Sequence, residues 1–351
     1  MSLQLTEDVS PAALARFDML IDVRSPGEYA EDHIPGSVNL PVLTDAERAE
    51  VGTIYVQESR FKARRIGAAH VARNVALHLE TALADRPGDF KPLVYCWRGG
   101  MRSNAMALIL SQVGWRTSVL SGGYRTYRRH VTARLYDGVL PHSFILLDGH
   151  TGSGKTELLG KLAKRGFQTL DLEGLAAHRG SLFGALAGQP QPSQKLFESR
   201  LLAALDGLDP SRPVIAEAES SKIGDRMIPP ALWTRIADAA RIELVADRKS
   251  RARYLVAAYR DLTADRAAME AAFARLPEPP SRERLAGWRA MADAGAFAEL
   301  AEAIMAFRYD PAYDRSRRKH DRPLLGSVAV RPDDPADLEA AVDAVAELAS
   351  A

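Results

Sequence analysis

The sequence predicts an α/β protein made of two parallel-sheet domains in succession. Two observations indicate this class: short apolar segments rich in β-branched residues alternate with segments of helical period, and the alternation starts afresh after Pro141. The chain has 351 residues, of which 46% are hydrophobic and 26% charged, so it is long enough to bury two cores. We predict one domain at residues 1–135 and a second at 136–351.

In the first domain, strand and helix signals follow each other at the spacing of a βαβ unit. The short apolar runs predict buried strands, and the helical stretch between them ends at Gly114. Such a unit implies a parallel sheet. The predicted elements are strands at Asp18–Val23, Pro92–Tyr95 and Thr117–Leu120 and a helix at Met101–Val113.

The second domain shows the same alternation, followed by sequence rich in Ala, Arg and Glu. The helical period of that sequence predicts a helical insertion at about residues 252–307. The basic segment Tyr124–Arg134 is interpreted as the linker that precedes the domain. The predicted elements are strands at Ser143–Leu147, Gln168–Leu172, Pro213–Ala216 and Ile242–Val245 and helices at Lys155–Ala163 and Pro335–Leu348.

Composition argues against export and against a membrane protein. The first fifteen residues (MSLQLTEDVSPAALA) hold two acids and neither a basic segment nor a long apolar run, so we expect no secretory signal. No segment is apolar enough to span a bilayer. The single cysteine, Cys96, cannot form an internal disulfide, which fits a reducing compartment. We therefore expect a cytoplasmic protein with no membrane partner.

Basic residues are concentrated in a few segments, although the net charge is only +1. Each segment alone is typical of a solvated helix face, but together they favour a nucleic-acid surface. Tyr124–Arg134 is the strongest candidate, because its tyrosines could stack on bases. Its predicted contacts are Arg125, Arg128, Arg129 and Arg134, with Arg315–Lys319 second. The basic segments are Arg60–Arg73, Tyr124–Arg134, Arg248–Arg253 and Arg315–Arg322.

Residues 149–156 (GHTGSGKT) fit the P-loop pattern G-x-x-x-x-G-K-[ST] between a predicted strand and helix. Glycines let the backbone N–H groups turn inward, and the helix N-terminus and a lysine add positive charge. The pattern predicts a site for a diphosphate or triphosphate, and the Thr156 hydroxyl could bind Mg²⁺. The predicted phosphate ligands are Gly149, Gly152, Ser153, Gly154, Lys155 and Thr156.

A partner acid is expected at the end of a neighbouring strand. The segment Val214–Glu219 (VIAEAE) offers Glu217 and Glu219 there, as possible acidic or metal-linked residues. A nucleotide hydrolase would usually have aspartate at this place, and exposed glutamate at a strand end is common. Both interpretations remain open for these two residues.

Residues 96–103 (CWRGGMRS) run from a strand end into a helix start. A thiolate at that position faces loop N–H groups and a helix N-terminus, with Arg98 and Arg102 adjacent, so the pKa of Cys96 should be low. A lone cysteine is often a buried structural residue, but the Gly-Gly pair and the two arginines favour a reactive one. A reactive role requires that the sulfur reach solvent.

The first domain resembles a rhodanese domain. The resemblance lies in residues 22–29 (DVRSPGEY), in residues 33–39 (HIPGSVN) and in the loop from Cys96 to Ser103. Gly122-Gly123-Tyr124 falls where rhodaneses have a Gly-Gly-aromatic turn. The resemblance implies that Asp22, Arg24 and the turn at 33–36 are architectural rather than catalytic.

A rhodanese-like domain followed by a P-loop NTPase-like α/β domain with a helical subdomain resembles the bacterial tRNA 2-selenouridine synthase family, over nearly the whole chain. In that family we expect histidine before the Tyr-Asp-Pro run, and this chain has Arg308. Further similar stretches are Asp171–Ala176, His178–Ser181, Gln191–Gln194, Phe197-Glu198, Glu217, Glu219-Ser220 before Ile223-Gly224, and Tyr309–Pro311 with Tyr313.

The resemblance implies replacement of sulfur by selenium in 2-thiouridine at the tRNA wobble position (U34). It implies an S-geranyl intermediate made from geranyl diphosphate, with selenophosphate as the selenium donor and Cys96 passing through an S-selanyl form. The implied partners are the tRNA anticodon loop and an enzyme that supplies selenophosphate. No tightly bound cofactor is implied, although Mg²⁺ could accompany the diphosphate.

Three alternatives stay open. The P-loop could bind ATP in a tRNA sulfurtransferase that uses a Cys96 persulfide. The chain could be a non-catalytic RNA-binding sulfur carrier whose P-loop only senses nucleotide. It could also be a small-molecule kinase fused to an ordinary rhodanese domain, in which phosphoryl transfer would not depend on Cys96.

Overall fold

A computed structural model describes residues 3–181, 183–186, 188–274, 276, 280–317 and 322–350. The chain divides into two units. The first comprises Met1–Asp137 together with Ser193–Asp206, and the second comprises Gly138–Pro192 and Gly207–Ala351. Each unit contains one parallel sheet of five strands.

The first 137 residues supply most of the first unit. The elements are β1 (Gln4–Thr6), α1 (Pro11–Leu14), β2 (Met19–Asp22), α2 (Pro26–Glu31), β3 (Val38–Asn39), α3 (Asp45–Gln57), α4 (Arg60–Glu80), β4 (Pro92–Tyr95), α5 (Met101–Val113), β5 (Ser118–Leu120) and α6 (Tyr124–Thr132), which continues into a π-helical turn at Ala133–Asp137.

The first sheet has the strand order β1-β5-β4-β2-β3, and every pair is parallel. This confirms the predicted parallel sheet and the strands and helix of its βαβ unit. Strand β4 is the middle strand and is buried along its whole length, as a short apolar run between two neighbours requires. Cys96 is the first residue after it, so the thiol lies at the carboxyl edge of the sheet.

Helix α5 has the predicted bounds, and its buried face is formed by Ser103, Met106, Ala107 and Leu110. Leu108, half exposed, lies on the other side. The helix ends at Gly114, whose φ of +109° lies in the left-handed region that favours glycine. The predicted helix stop is therefore confirmed.

The prediction that Tyr124–Arg134 is a linker is wrong. Residues 124–132 form α6, and Tyr124, Tyr127 and Val131 are buried along one face of it. The spacing of these residues by three and four positions is that of an amphipathic helix. The arginines between them made the segment look uniformly polar, which concealed the apolar face.

The rest of the chain begins with a strand and the P-loop helix. Its elements are β6 (Phe144–Asp148), α7 (Lys155–Lys164), β7 (Gln168–Leu170), α8 (Leu172–Leu175), α9 (Gln194–Asp206), β8 (Val214–Glu217), β9 (Lys222–Ile223), β10 (Arg226–Met227), α10 (Pro230–Ala237), β11 (Ala240–Val245), α11 (Arg248–Ala258), α12 (Arg260–Ala264), α13 (Arg266–Ala274), α14 (Arg282–Asp293), α15 (Phe297–Ile304), a π-helical turn at Met305–Tyr309, α16 (Asp310–Arg317), β12 (Leu324–Ala329) and α17 (Pro335–Ser350).

The second sheet has the order β12-β11-β6-β8-β7, again with parallel pairs. The predicted strands β6, β7, β8 and β11 are confirmed within a few residues. Strand β12 was not predicted, because Gly326 interrupts it and most of its residues are exposed at the sheet edge. Strand β6 is the middle strand, so the P-loop that follows Asp148 also lies at a carboxyl edge.

Helix α9 belongs to the first unit, although it lies inside the range predicted for the second domain. Its apolar face is buried, and Glu198 on the same helix forms an ion pair with Arg128 of α6. Arg134 forms a second ion pair with Asp206, at 2.9 Å. The helix is therefore tied to α6 both by packing and by charge.

Helices α11 to α16 form the predicted helical subdomain. Its core is a cluster of apolar side chains from α13, α14 and α15, which includes Phe273, Trp288 and Leu300. In the described part of the chain, no helix combines the length and the apolar character needed to cross a membrane.

Candidate active sites

Cys96 lies in a turn that closes around its sulfur. Strand β4 ends at Tyr95, and α5 starts at Met101. The Gly100 N–H donates to Cys96 Sγ at 3.3 Å, and the Ser103 hydroxyl lies 3.2 Å from the same sulfur. The loop after β4 and the first turn of α5 thus place hydrogen-bond donors next to the thiol, as the sequence predicted.

These donors change the acidity of the thiol. Burial by itself raises the pKa of Cys96, but hydrogen bonds from Ser103 and from the backbone N–H groups of Gly100 and Arg98 outweigh it. The net effect lowers the pKa of Cys96 below its usual value. The site therefore favours an anionic sulfur.

The sulfur is less accessible than the sequence analysis required, because Cys96 is only 4% exposed. The Gly122-Gly123 turn covers the loop: Tyr124 N–H donates to the Cys96 carbonyl at 2.8 Å. A Cβ atom at Gly123 would lie 2.2 Å from that carbonyl oxygen. In this conformation the sulfur of Cys96 is enclosed by the protein. The solvent access that a reactive Cys96 requires is therefore not present.

The two arginines of the loop differ. Arg98 is exposed, and its backbone N–H rather than its guanidinium acts on the sulfur. Arg102 donates to Glu28 at 2.7 Å, which holds its side chain in an ion pair. Arg102 is therefore positioned by Glu28, and a contact between either guanidinium and a substrate stays a prediction.

Asp22 and Arg24, to which the resemblance assigns an architectural role, are both buried. Asp22 and Arg24 form an ion pair at 2.6 Å with almost no exposed side-chain surface. The Arg24 guanidinium also lies 4.1 Å from the centre of the Tyr124 ring, and Tyr124 donates to Asp32 at 2.6 Å. This network fixes the turn that covers Cys96.

The P-loop follows the middle strand of the second sheet and needs its glycines. Gly152 and Gly154 have φ angles of +84° and +78°. A Cβ atom at Gly149 would lie 2.7 Å from Ser153 Oγ and 3.1 Å from the Leu244 carbonyl oxygen. The loop can therefore adopt this path only with glycine at these three positions.

The polar groups of the P-loop contact one another and their neighbours. Lys155 Nζ donates to the Gly149 carbonyl at 2.8 Å, and the Thr156 hydroxyl donates to Glu173 at 3.0 Å. Gly149 N–H donates to the Tyr313 hydroxyl at 2.6 Å. The loop borders a cavity of about 630 Å³, so it is open to a phosphate-sized ligand.

Arg179 adds a positive group to this cavity that the sequence analysis did not select. One guanidinium nitrogen donates to Asp261 at 3.0 Å, and the group lies 4.6 Å from the centre of the Tyr259 ring. Within the described residues, its Nη1 atom is buried without a hydrogen-bond partner. A buried guanidinium donor without a partner is suited to bind an anion.

The predicted acids take different places. Glu217 is fully buried behind the cavity, where its Oε2 accepts from the Leu172 N–H at 3.0 Å. Glu219 lines the cavity together with Glu173. Only Glu219 of the two predicted acids therefore reaches the cavity, because Glu217 is the last residue of β8 and its side chain is buried, whereas Glu219 lies beyond the strand. Their acidic or metal-linked roles stay predictions.

All three acids have raised pKa values. Burial, followed by the charges of Asp171, Glu173 and Glu219, raises the pKa of Glu217 well above its usual range. Burial and the nearby Glu173 raise the pKa of Glu219 to about 8, and burial raises that of Glu173. A raised pKa favours the protonated acid, and Glu219 in that form repels an anionic ligand in the cavity less than its carboxylate would.

The predicted basic surface on α6 is only partly free. Arg128 and Arg134 are held in ion pairs with acids of α9. Tyr124 and Tyr127 are 3% and 5% exposed, so the prediction that they stack on bases is wrong. Arg125 and Arg129 are exposed. Of the second predicted segment, Arg315–Lys319, residues 318 and 319 lie outside the described residues.

Family models match both units of the chain. The model of the rhodanese-like domain matches residues 7–130, and the model of the tRNA 2-selenouridine synthase AAA domain matches residues 142–277. The chain is thus similar to tRNA 2-selenouridine synthases in both units. The matched AAA domain contains the P-loop and part of the cavity lining, and the matched rhodanese-like domain contains Cys96.

Three curated tRNA 2-selenouridine synthases illustrate the relationship. The protein of Nitrosomonas europaea is 36% identical over 63% of this chain and 58% of its own length. That of Shewanella denitrificans is 34% identical over 69% and 65%, and that of Cupriavidus pinatubonensis 35% over 66% and 63%. The matched part of the chain thus covers less than two thirds of these relatives' own lengths.

The departure expected for the tRNA 2-selenouridine synthase family lies close to the cavity. Arg308 is in the π-helical turn Met305–Tyr309 and precedes Tyr309, which lines the P-loop cavity. Irregular turns of this kind often occur at functional sites. Arginine in place of the expected histidine therefore puts a permanent positive charge next to a residue of the cavity wall.

Glu173 and Arg179 are two charged cavity residues that were not predicted as site residues. Both lie in stretches that resemble the family, Asp171–Ala176 and His178–Ser181. A signal for them was thus present in the resemblance. Their spacing along the chain gave no such signal, because these residues reach the P-loop only in the folded protein.

Proposed function

We propose that the chain is a tRNA 2-selenouridine synthase that converts 2-thiouridine at U34 of tRNA to 2-selenouridine. The observation that carries the proposal is the joining, in one chain similar to this family, of an acidified thiol with a P-loop cavity. The proposed sequence uses geranyl diphosphate first and selenophosphate second. It is a transferase reaction in both steps.

The P-loop would perform the first step. The sulfur of 2-thiouridine attacks the first carbon of geranyl diphosphate, the carbon–oxygen bond breaks, and inorganic diphosphate leaves. The loop N–H groups, Lys155 and the Arg179 nitrogen that has no hydrogen-bond partner among the described residues are suited to stabilise the charge that develops on the leaving group. No nucleotide is needed for this step.

Mg²⁺ could assist the same leaving group. Among the described residues, no cluster of three or more His, Cys, Asp or Glu side chains could hold a metal by itself. The Thr156 hydroxyl and Glu173 offer hard oxygen donors that would fit Mg²⁺ when phosphate oxygens complete its coordination. Bound there, the ion would neutralise charge on the diphosphate.

Cys96 would serve the second step as the selenium carrier. The low pKa of its thiol supports covalent carriage, and the same donors would stabilise a terminal selenium anion. Loading of Cys96 from selenophosphate forms the S–Se bond, releases phosphate as water cleaves the P–Se bond, and requires a two-electron oxidant of the disulfide class. The terminal selenium then attacks C2 of the base, the C2–S bond breaks and geranylthiol leaves. A thiol reductant finally cleaves the S–Se bond, which leaves selenium on the base and restores Cys96. Because Cys96 is buried, we propose that the turn 97–100 opens when the selenium donor arrives.

The experiment is nucleoside mass spectrometry of tRNA from cells that contain single variants. Lys155→Ala should abolish both S-geranyl-2-thiouridine and 2-selenouridine. Cys96→Ala should abolish only 2-selenouridine, so the geranylated intermediate should accumulate. Lys161→Ala is the control and should change neither product. Lys161 lies on the same helix as Lys155, α7, and its side chain pairs with Glu339 of α17.

Two results would contradict the proposal. Identical product profiles for Lys155→Ala and Cys96→Ala would remove the division of labour between the two sites. Consumption of ATP in place of geranyl diphosphate would instead identify an ATP-dependent tRNA sulfurtransferase.

A further inference from the structure

The second unit contains a second cavity, which is apolar. Its volume is about 90 Å³, and aromatic and aliphatic side chains of the helical subdomain form most of its lining. Six of these are Phe183, Met269, Phe273, Phe297, Leu300 and Ile304.

The space is open to solvent, and buried side chains of the subdomain core form part of its wall. Met269, Phe273 and Leu300, which line it, are themselves buried. Apolar surface that faces water is stabilised when an apolar group covers it, so the lining favours a hydrocarbon ligand.

The apolar cavity shares a wall with the P-loop cavity. Residues that line both are Thr151, Ser181, Leu255, Tyr259 and Tyr309. Thr151 is part of the P-loop itself. The Ser181 and Tyr259 hydroxyls lie 2.9 Å apart and satisfy each other, so the wall does not need a polar ligand at that place.

The two cavities together fit a ligand with two chemically different ends. The P-loop side offers Lys155 and Arg179 to an anion, whereas the other side offers side chains that gain free energy only by contact with apolar groups. A purine placed in the apolar cavity would lose its hydrogen bonds to water without replacement. A diphosphate with a hydrocarbon tail meets both requirements.

We propose that the apolar cavity holds the tail of an isoprenoid diphosphate whose head lies at the P-loop, and that its lining selects the length of the tail. This inference rests on the proposed function. Ala301 and Phe297 of α15 both line the cavity and serve as the positions that test tail length. The small side chain at 301 can be replaced by a larger one, and the ring at 297 can be removed. A bulky side chain at 301 shortens the space, and removal of the ring at 297 extends it.

The test compares dimethylallyl, geranyl and farnesyl diphosphate as donors to 2-thiouridine tRNA. Ala301→Phe should lower kcat/KM for farnesyl relative to dimethylallyl diphosphate by about tenfold or more, since small changes in fit to an apolar pocket have effects of this order. Phe297→Ala should shift the ratio in the opposite direction. Ala290→Phe adds the same ring at an exposed position of α14 and should leave the ratio unchanged.

The outcomes separate this inference from the proposed function. If the unchanged protein transfers no isoprenoid group from any donor, the proposed function fails. If it transfers them, binds inorganic diphosphate equally in all variants, and yet keeps one chain-length ratio throughout, the tail site is overturned while the function stands. Should Ala301→Phe not fold, the ratio measured for Phe297→Ala decides the question alone.

Discussion

At the scale of single residues, hydrogen bonds rather than a nearby cation stabilise the Cys96 thiolate. Arg102, the second residue of α5, forms an ion pair with Glu28, so its charge is already neutralised within the protein. The Ser103 hydroxyl and the Gly100 N–H contact the sulfur directly. Loss of the Ser103 hydroxyl should therefore act on the thiol more strongly than loss of the Arg102 charge.

Replacement of Ser103 by alanine should raise the pKa of Cys96. The hydroxyl contributes to the lowering of that pKa, and its hydrogen bond favours the thiolate form. Because Cys96 is the single cysteine of the chain, ultraviolet thiolate absorbance measured against pH reports on it alone. The midpoint should move to higher pH in Ser103→Ala and not in the control Ser111→Ala on the same helix. A midpoint equal to that of the unchanged protein would contradict this account.

Residues in local motifs could be predicted, and residues that meet only through folding could not. Cys96 and Lys155 each follow a strand and open a helix within a few positions, so the sequence around them contains their whole setting. Arg179 reaches the cavity from a segment that precedes α9 and contacts Asp261 and Tyr259, which lie far along the chain. Nothing in the spacing of these residues indicates that contact.

At the scale of elements, the turn at Gly122-Gly123 and the helix α6 behind it hold the thiol loop. Gly123 has a φ of +58°, and its missing side chain allows contact with the Cys96 carbonyl and the Gly99 N–H. Any larger residue would meet backbone atoms, which cannot rotate away as a side chain can. The turn is therefore as important to the site as the loop that contains the cysteine.

Replacement of Gly123 by alanine should destabilise the first unit by about 1 kcal/mol or more, since the residue combines a positive φ with a backbone clash. Gly52 provides a matched comparison, because it lies in α3 with open space around it. Gly52→Ala should stabilise the unit by about 0.5–1 kcal/mol. Chemical denaturation of both variants measures the difference, and equal effects of the same sign would be inconsistent with the structure.

Element predictions were confirmed where strands are buried on both faces and wrong where composition concealed a pattern. Strands β4 and β6 consist wholly of buried residues and stand out as short apolar runs. Helix α6 did not, because its three arginines equal in number the three residues of its buried face and separate them along the sequence. Strand β12 lies at a sheet edge with one buried residue, so its sequence lacks the alternation that marks a strand.

At the scale of the whole molecule, the net charge of +1 does not show which arginines are unpaired and exposed. Of the four arginines predicted to bind tRNA in the segment 124–134, Arg128 and Arg134 are in ion pairs with α9, and Arg125 and Arg129 on α6 are exposed. An arginine already paired within the protein contributes less to binding of a phosphate than an exposed one. We therefore propose that Arg125 and Arg129 are the residues of this helix that bind tRNA.

Joint replacement of Arg125 and Arg129 by alanine should weaken tRNA binding and reduce its salt dependence. If each contacts one phosphate of a single-stranded loop, the slope of log K against log salt should become less steep by about 1.4. Binding is measured by fluorescence anisotropy at several salt concentrations. The control replaces the exposed Arg16 and Arg86, which removes the same charge elsewhere on the first unit. An equal loss of slope in both proteins would assign the effect to net charge alone.

The position of α9 has a consequence for the synthesis of the protein. The first unit takes Ser193–Asp206 from a later part of the chain, and the start of the second unit is translated in between. Until residue 206 has left the ribosome, the side of α6 that carries Arg128 and Arg134 has no partner. During synthesis the guanidinium donors of Arg128 and Arg134 therefore lack their carboxylate partners, and the time needed to translate residues 138–206 sets how long this state lasts.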